Sequence, residues 1–212
     1  METKLLIVGK GDNVITMIVD NLYSNHDLLT IDVYNNLNLE VVNNISHPEY
    51  KISLLPDVDF NDYEHICLGV YQPKLKRILV EKYNINENKL VNIIHHGLIK
   101  SETVELGKGL LINSLVTIAA HTCIKDYVSI NRSVSIGHHV TIGKYSSINP
   151  GTNIAGNVTV GEGTTIGMGS NIINGVKIGN NTIIGAGSVV TKDIPDNVVA
   201  YGNPCKIIRD NL

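Results

Sequence analysis

The sequence predicts a two-part fold: a small α/β unit with a Rossmann-like parallel sheet, then an all-β parallel solenoid. Two changes of pattern carry that prediction. Over residues 1–97 short apolar runs alternate with helical spacing, whereas from about residue 104 aliphatic residues recur every six positions. Composition agrees with the second part. The chain is 43% hydrophobic but only 5% aromatic, with no Trp and one Phe, so its core must be filled by Ile, Val and Leu. Such a filling suits a narrow, repetitive interior.

In the first part, Leu5–Val8 reads as a short buried strand ended by Gly9, Lys10 and Gly11. Asp12 is placed to cap a helix whose Val14, Ile15, Ile18, Val19 and Leu22 share one side. A second strand runs from Leu28 to Tyr34 and a polar, Asn-rich stretch follows. Ile66–Gly69 (strand), Pro73–Tyr83 (helix) and Leu90–Ile94 (strand) complete an alternation typical of parallel α/β layers. The first strand-to-helix turn of such a fold is where nucleotides bind.

In the second part, fifteen aliphatic positions from Leu106 to Val190 fall in register without a slip, Ile112, Ile136, Ile154 and Ile172 among them. A helix of 3.6 residues per turn would smear a period of six around its surface. A short strand plus a corner accommodates it. The aliphatic residue and the small or β-branched residue two places before it then share the inward face. Gly, Asn or Ala just after the aliphatic residue, as at Gly137, Gly143 and Asn149, is expected to give the corner its backbone freedom. Three sides per coil predict eighteen-residue coils, about five of them.

The formal charge of −3 and the scattered Lys and Arg argue against a nucleic-acid partner or a polybasic membrane contact. Cys67, Cys123 and Cys205 lie far apart and form no CxxC pair, which argues against a disulfide framework and a structural zinc site. The apolar run before Gly9 is too short for a signal core or a membrane span, so a soluble cytoplasmic protein is expected.

The hexads, the segment Ile136-Gly-His-His-Val-Thr-Ile-Gly143 and the tail from Asp193 to Arg209 resemble the hexapeptide-repeat acyltransferases with a left-handed parallel β-helix. With the α/β unit in front, the chain is similar to the sialic-acid O-acetyltransferase-like family. That family includes N-acetyltransferases of nucleotide-linked 4-amino-sugars. The resemblance implies the left hand of the coil, which the usual crossover rule would not supply. It also implies domains 1–97 and 98–212, acetyl-CoA as co-substrate without a metal, and a nucleotide-linked amino-sugar as acceptor. A homotrimer with its active site between neighbouring subunits is implied too.

Acyl transfer to an amine needs a base, and an imidazole with a free pKa of about 6.5 suits that task. The register puts His138 two places beyond the inward Ile136, in an outward corner, and it matches the family's base position. His139, the second catalytic candidate, stands where the family often carries a carboxylate. Residues eighteen apart stack, so Asn157, His121 or a neighbouring subunit is expected to orient His138. By matching positions, Ser147, Gly156, Met168 and Ala186 are the acetyl-CoA contacts, with Ser147 replacing a frequent His. Gly9, Gly11, Asp12, Asn13, Asp32 and Gly69 are the nucleotide-sugar contacts, and Lys74 and Arg77 stand close behind Gly69. His95 and His96 are expected at the hinge between the two parts. Sugar O-acetylation is the neighbouring alternative. A non-enzymatic solenoid, or a carbonic-anhydrase-like one with His121, His138 and His139 as zinc ligands, is the more distant one.

Overall fold

A computed structural model describes residues 3–9, 12–23, 29–34, 51–55 and 57–211. Its first part comprises β1 (Thr3–Val8), α1 (Asp12–Tyr23), β2 (Leu29–Tyr34), β3 (Lys51–Leu55), β4 (His65–Leu68) and α2 (Pro73–Lys82). The four strands form one parallel sheet in the order β3-β2-β1-β4. Strand β3 escaped the sequence reading because it is short and follows the Asn-rich stretch. Val14, Ile15, Ile18, Val19 and Leu22 of α1 are buried against Leu5, Ile7, Ile31 and Val33 on one face of the sheet. Leu6, Val8, Ile66 and Leu68 face the other way, toward Leu79 of α2 and Tyr63.

From β5 (Ile93–Ile94) to β21 (Val189–Val190) the chain is a series of two-residue strands. Each pairs in parallel with the strand one coil on, as Ser135 with Asn153 and Ile136 with Ile154. The first face of the resulting left-handed prism runs through Ile94, Ile112, Ile130, Ile148, Ile166 and Ile184. The second runs through Ile118, Ile136, Ile154, Ile172 and Val190, and the third through Leu106, Ile124, Ile142, Val160 and Ile178. There are about six coils, one more than expected. Ile93–Ile94 joins the solenoid by pairing with Leu111–Ile112, instead of ending the α/β sheet. That first coil was hidden because Lys100 occupies an aliphatic position of the repeat. His95 and His96, ring centroids 4.2 Å apart, therefore lie beyond the first solenoid strand, not at a hinge. An antiparallel hairpin, β22 (Val198–Tyr201) and β23 (Lys206–Asp210), ends the fold.

The interior explains the second column of the repeat. Valines such as Val116, Val134 and Val158 fill it with hydrocarbon. Where a hydroxyl stands instead, it finds a carbonyl fifteen residues on, at the corner that leads into its own column in the next coil: Thr122 Oγ1 donates to Gly137 O at 2.8 Å, and Ser146 Oγ to Gly161 O at 2.7 Å. No buried hydroxyl of this kind goes unpaired at the cost a lost hydrogen bond would carry.

The corners correct one expectation. Every sixth residue from Gly109 to Gly187 is left-handed, including His121 (φ 57°), His139 (φ 57°) and Asn157 (φ 58°). This is the third residue after the aliphatic one, not the first. The glycines directly after the aliphatic residue answer to packing. A Cβ on Gly161 would lie 2.5 Å from the carbonyl carbon of Gly179 in the next coil.

The two parts are pinned together by a buried lysine. Lys76 of α2 is 1% exposed. Its Nζ donates to Tyr127 O (3.0 Å), Tyr145 O (3.2 Å), Ser146 O (3.3 Å) and Ser147 Oγ (3.1 Å). Tyr127 and Tyr145 are themselves left-handed corner residues, and their rings stack at 4.8 Å. On the other side of the sheet, Asn21 Nδ2 of α1 donates to Asn113 Oδ1 at 2.9 Å, and Asn113 Nδ2 donates to the Tyr71 hydroxyl at 2.7 Å.

The two glycine classes should respond differently to substitution. Gly161→Ala is expected to cost about 2–3 kcal/mol through overpacking against the next coil. Gly169→Ala, at φ 65° with nothing within 4 Å of its Cβ, should cost only about 1 kcal/mol of left-handed strain. Urea midpoints of the two variants check this order. Lys76→Met strands carbonyl oxygens and is expected to cost about 3 kcal/mol. Burial pushes the Lys76 pKa well below the ordinary lysine value. Between that value and about 10.4 the unfolded chain binds more protons at this site than the folded one, so wild-type stability rises with pH through that window. The stability gap between wild type and Lys76→Met should therefore widen from neutral to alkaline pH.

Candidate active site

Ile136, buried in the second face, leads into the corner that carries both central histidines. Gly137 opens that corner, where the backbone of Ala155 leaves no space for a Cβ. His138 follows and points outward, and His139 completes the corner in the left-handed conformation. His138 Nδ1 and His139 Nδ1 are 3.1 Å apart in hydrogen-bond geometry, with the two rings nearly perpendicular at 85°. The His121 ring stands 4.9 Å from that of His139, one coil below.

The other edge of His138 lies across Gly156 of the next coil. A Cβ on Gly156 would be 2.6 Å from both Cε1 and Nε2 of His138, and 3.1 Å from Asn174 Oδ1. The backbone of Gly156 thus supplies the space that the imidazole occupies, and Asn174 of the coil beyond faces the same point. The sequence reading missed Asn174; the signal was that it stands two eighteen-residue periods beyond His138. The expected orienting roles of Asn157 and His121 are corrected. Asn157 Nδ2 turns to Asn174 Oδ1 at 3.5 Å, and the hydrogen-bond partner of the His138 ring is its own neighbour, His139.

Met168 (58% exposed) and Ala186 both face outward, eighteen residues apart on the corner between the first and second faces. Within one chain they are separated from the His138–Gly156 corner by the width of the second face. At the opposite edge of the first face, a cleft of about 530 Å³ opens against α2, lined by Lys74, Arg77, Ile78, Thr165, Asn181 and Ile183. Arg77 is engaged there by Glu162 at 2.8 Å and lies over the Tyr145 ring.

Ser147 is elsewhere. It is buried in the first face, where its hydroxyl donates to the Tyr71 carbonyl and accepts from Lys76. With both roles of the hydroxyl in use inside the chain, Ser147 serves the junction between the two parts, which corrects its expected contact with the cofactor.

The third group of candidates meets at the carboxyl edge of the small sheet. Gly9 follows β1 and Gly69 follows β4, and the order β3-β2-β1-β4 reverses direction between these two strands. That is the topological switch point, where open α/β sheets bind ligands. The two glycine backbones touch: a Cβ on Gly69 would collide with Gly9 O, and one on Gly9 would lie 2.9 Å from Val70. Gly9, at φ 97°, turns the chain toward α1, which begins at Asp12 and Asn13. Gly11 lies outside the described residues. Asp32 is buried one strand away, where its Oδ2 accepts from the Tyr63 hydroxyl at 2.8 Å. Burial and that carboxylate push the pKa of Tyr63 up. Asp32 therefore holds Tyr63 instead of facing the crevice directly.

Among the described residues no helix is long and apolar enough to cross a membrane, and no three His, Cys, Asp or Glu side chains converge as a metal site.

Residues 157–192 match the family described as bacterial transferase hexapeptide (six repeats). A comparison with curated proteins finds no match. Among solved structures, the chain is similar to PerB from Caulobacter crescentus in complex with CoA and GDP-perosamine. Identity is 27% over 96% of each chain, and the TM-score is 0.81. The acetyltransferase domain of PglB from Neisseria gonorrhoeae has the same fold at 21% identity, covering 98% of this chain and all of that one, with a TM-score of 0.82. So does WeeI from Acinetobacter baumannii, at 19% identity, 97% and 100% coverage and a TM-score of 0.79. In repeat, fold and two-part architecture the chain is similar to the hexapeptide-repeat acyltransferases with a left-handed β-helix.

Proposed function

We propose that the chain is an acetyl-CoA-dependent N-acetyltransferase acting on the amino group of a nucleotide-linked amino-sugar, with His138 as its general base. The observation that carries this reading is the placement of His138. Its Nε2 edge sits over a side-chain-free glycine, at an outward corner, in a chain that matches a GDP-perosamine-bound enzyme over nearly its whole length.

Acetyl-CoA supplies an activated thioester. The acceptor nitrogen forms the new C–N bond as the C–S bond breaks, and CoA leaves as its thiol. His138 Nε2 takes the proton that the nitrogen sheds and passes it to the departing sulfur, which is how CoA leaves as its thiol. No acyl-enzyme is required. Asn174, facing the same point as His138, is placed to hold the acceptor or the thioester oxygen through its side-chain amide. The exposed Met168 and Ala186 offer a smooth, uncharged edge for the pantetheine arm, and Gly156 leaves room beside the base. The Gly9–Gly69 crevice and the start of α1 at Asp12 and Asn13 hold the nucleotide, and the helix N-terminus offers the backbone amides, because those of Gly9 and Gly69 are already given to Tyr34 O and Val8 O.

A homotrimer completes the site. The α/β unit docks on the first face, whereas His138 stands at the corner between the other two. The nucleotide bound by one subunit is therefore presented to the base of another. Ile99 and Leu115, each 70% exposed on or beside the second face, support a neighbouring solenoid covering that flank.

The test is thiol release from acetyl-CoA with a panel of GDP-, UDP- and dTDP-linked amino-sugars. His138→Ala is expected to lower kcat/KM by about 10²–10⁴-fold on the substrate that works; activity surviving in this variant would overturn the assignment. Gly156→Ala should fold normally, since its Cβ meets the movable His138 ring before any backbone. It should nevertheless lose on the order of 100-fold in kcat, because displacing a positioned base by about 1 Å costs that much.

A further inference from the structure

We propose that His139 is the positioning residue for His138, taking by a neutral imidazole-to-imidazole hydrogen bond the place a carboxylate would otherwise fill. This rests on His138 being the base, and extends it to how that base is held and tuned. Two nitrogens 3.1 Å apart can share a hydrogen bond only if one carries a proton and the other a lone pair. If His138 donates from Nδ1, its Nε2 is left with the lone pair, directed at Gly156 and the open side of the corner. If His139 donates instead, Nε2 of His138 holds the proton and cannot act as a base. Catalysis therefore uses the first arrangement, and His139 selects it by accepting. When His138 takes the acceptor's proton, it keeps donating from Nδ1, so the hydrogen bond persists and becomes charge-assisted.

The left-handed corner fixes this geometry. His139 stands at the left-handed position of the repeat, which Gly and Asn also fill, as at Gly151, Asn157 and Gly163, and from φ 57° its ring meets that of the preceding residue. Its other neighbour is His121, from the coil below. The next coil offers Gly156 and Asn157, and the coil after it Asn174. The two ion pairs among the described residues, Arg77–Glu162 and Lys144–Asp126, involve neither ring. The pair is thus built from imidazoles with no carboxylate bonded to it. A second proton would make both Nδ1 atoms donors and break the bond, so the pair works with one dissociable proton or none between its outer nitrogens.

The test reads the proton directly, in the substrate-free protein, by long-range 1H–15N correlation spectra of the imidazoles at mildly alkaline pH. In wild type, His138 is expected to carry its proton on Nδ1. In His139→Gly that preference should be lost, with thermal stability unchanged because Gly already occupies the equivalent left-handed position at six other places in the repeat, Gly175 of the same corner among them. On an accepted substrate, His139→Gly should lower kcat about tenfold or more with KM for acetyl-CoA unchanged. His139→Glu should keep the Nδ1 proton and move the acid limb of the pH–rate profile up by one pH unit or more, since a carboxylate favours the charged imidazole. A wild-type His138 protonated on Nε2, or a tautomer and pH profile indifferent to His139→Gly, would overturn the proposal. These outcomes are separate from failure of the base assignment, which shows only as activity surviving His138→Ala.

Discussion

Every feature of this solenoid follows from one constraint: each residue pairs in parallel with the residue eighteen places on. The pairing stacks like positions directly above one another, as Thr141 above Cys123 and Thr159 above Thr141. A column is therefore a chemical unit with its own rules. The inward columns accept aliphatic side chains, or hydroxyls that reach a corner carbonyl of the next coil, as Thr164 Oγ1 reaches Gly179 O. The column after the aliphatic residue admits Gly where the next coil's backbone comes closest. The left-handed column takes Gly, Asn, His, Tyr, Ser and, once, Leu. Only the column between these last two is free of backbone demands, and His138, Gly156, Met168 and Ala186 all occupy it, on two of the three corners. The repeat fixes the frame and leaves one position per corner to chemistry.

Lys76 shows how the α/β unit exploits the same frame. Left-handed corners turn the carbonyls of Tyr127 and Tyr145 toward the first face, where no hydrogen of the solenoid meets them. A single ammonium from α2 collects both, with Ser146 O and Ser147 Oγ. It needs no carboxylate because four oxygen dipoles converge on it. The result is a rigid junction in which Ser147 is committed to structure. A serine at a position that often holds a cofactor-binding histidine thus has a physical explanation: a larger side chain would displace Lys76.

How much of this was readable in the sequence depended on whether the signal was local. The hexad period is local and uniform, so the solenoid, its inward faces and the outward corner of His138 could be read without coordinates. The first coil could not, because Lys100 breaks the aliphatic column. Gly137 and His139 were assigned the wrong share of the corner's conformational burden, since composition alone does not distinguish a glycine required by φ from one required by a neighbouring coil. Lys76 sits in the charged run Pro73-Lys-Leu-Lys-Arg-Ile, where nothing separates it from its solvated neighbours Lys74 and Arg77 until α2 is docked. Asn174 was recoverable by adding two periods to His138. The bond between His138 and His139 was not, because a ring rotamer decides it.

The placement of the two binding features also constrains the assembly. A triangular coil has three corners, and a unit docked on one face lies near the two corners that bound it and away from the third. The Gly9–Gly69 crevice belongs to the unit docked on the first face, and His138 to the third corner, so one chain holds both halves of the proposed site but does not bring them together. Met168 and Ala186 stand on a corner that bounds the first face, again apart from the base of their own chain. The threefold packing proposed above would resolve both separations at once, because it would set the His138 corner of one subunit against the flank of the next. On this argument the proposed trimer is what the proposed chemistry requires: the cofactor edge, the nucleotide crevice and the base would become one site only across an interface.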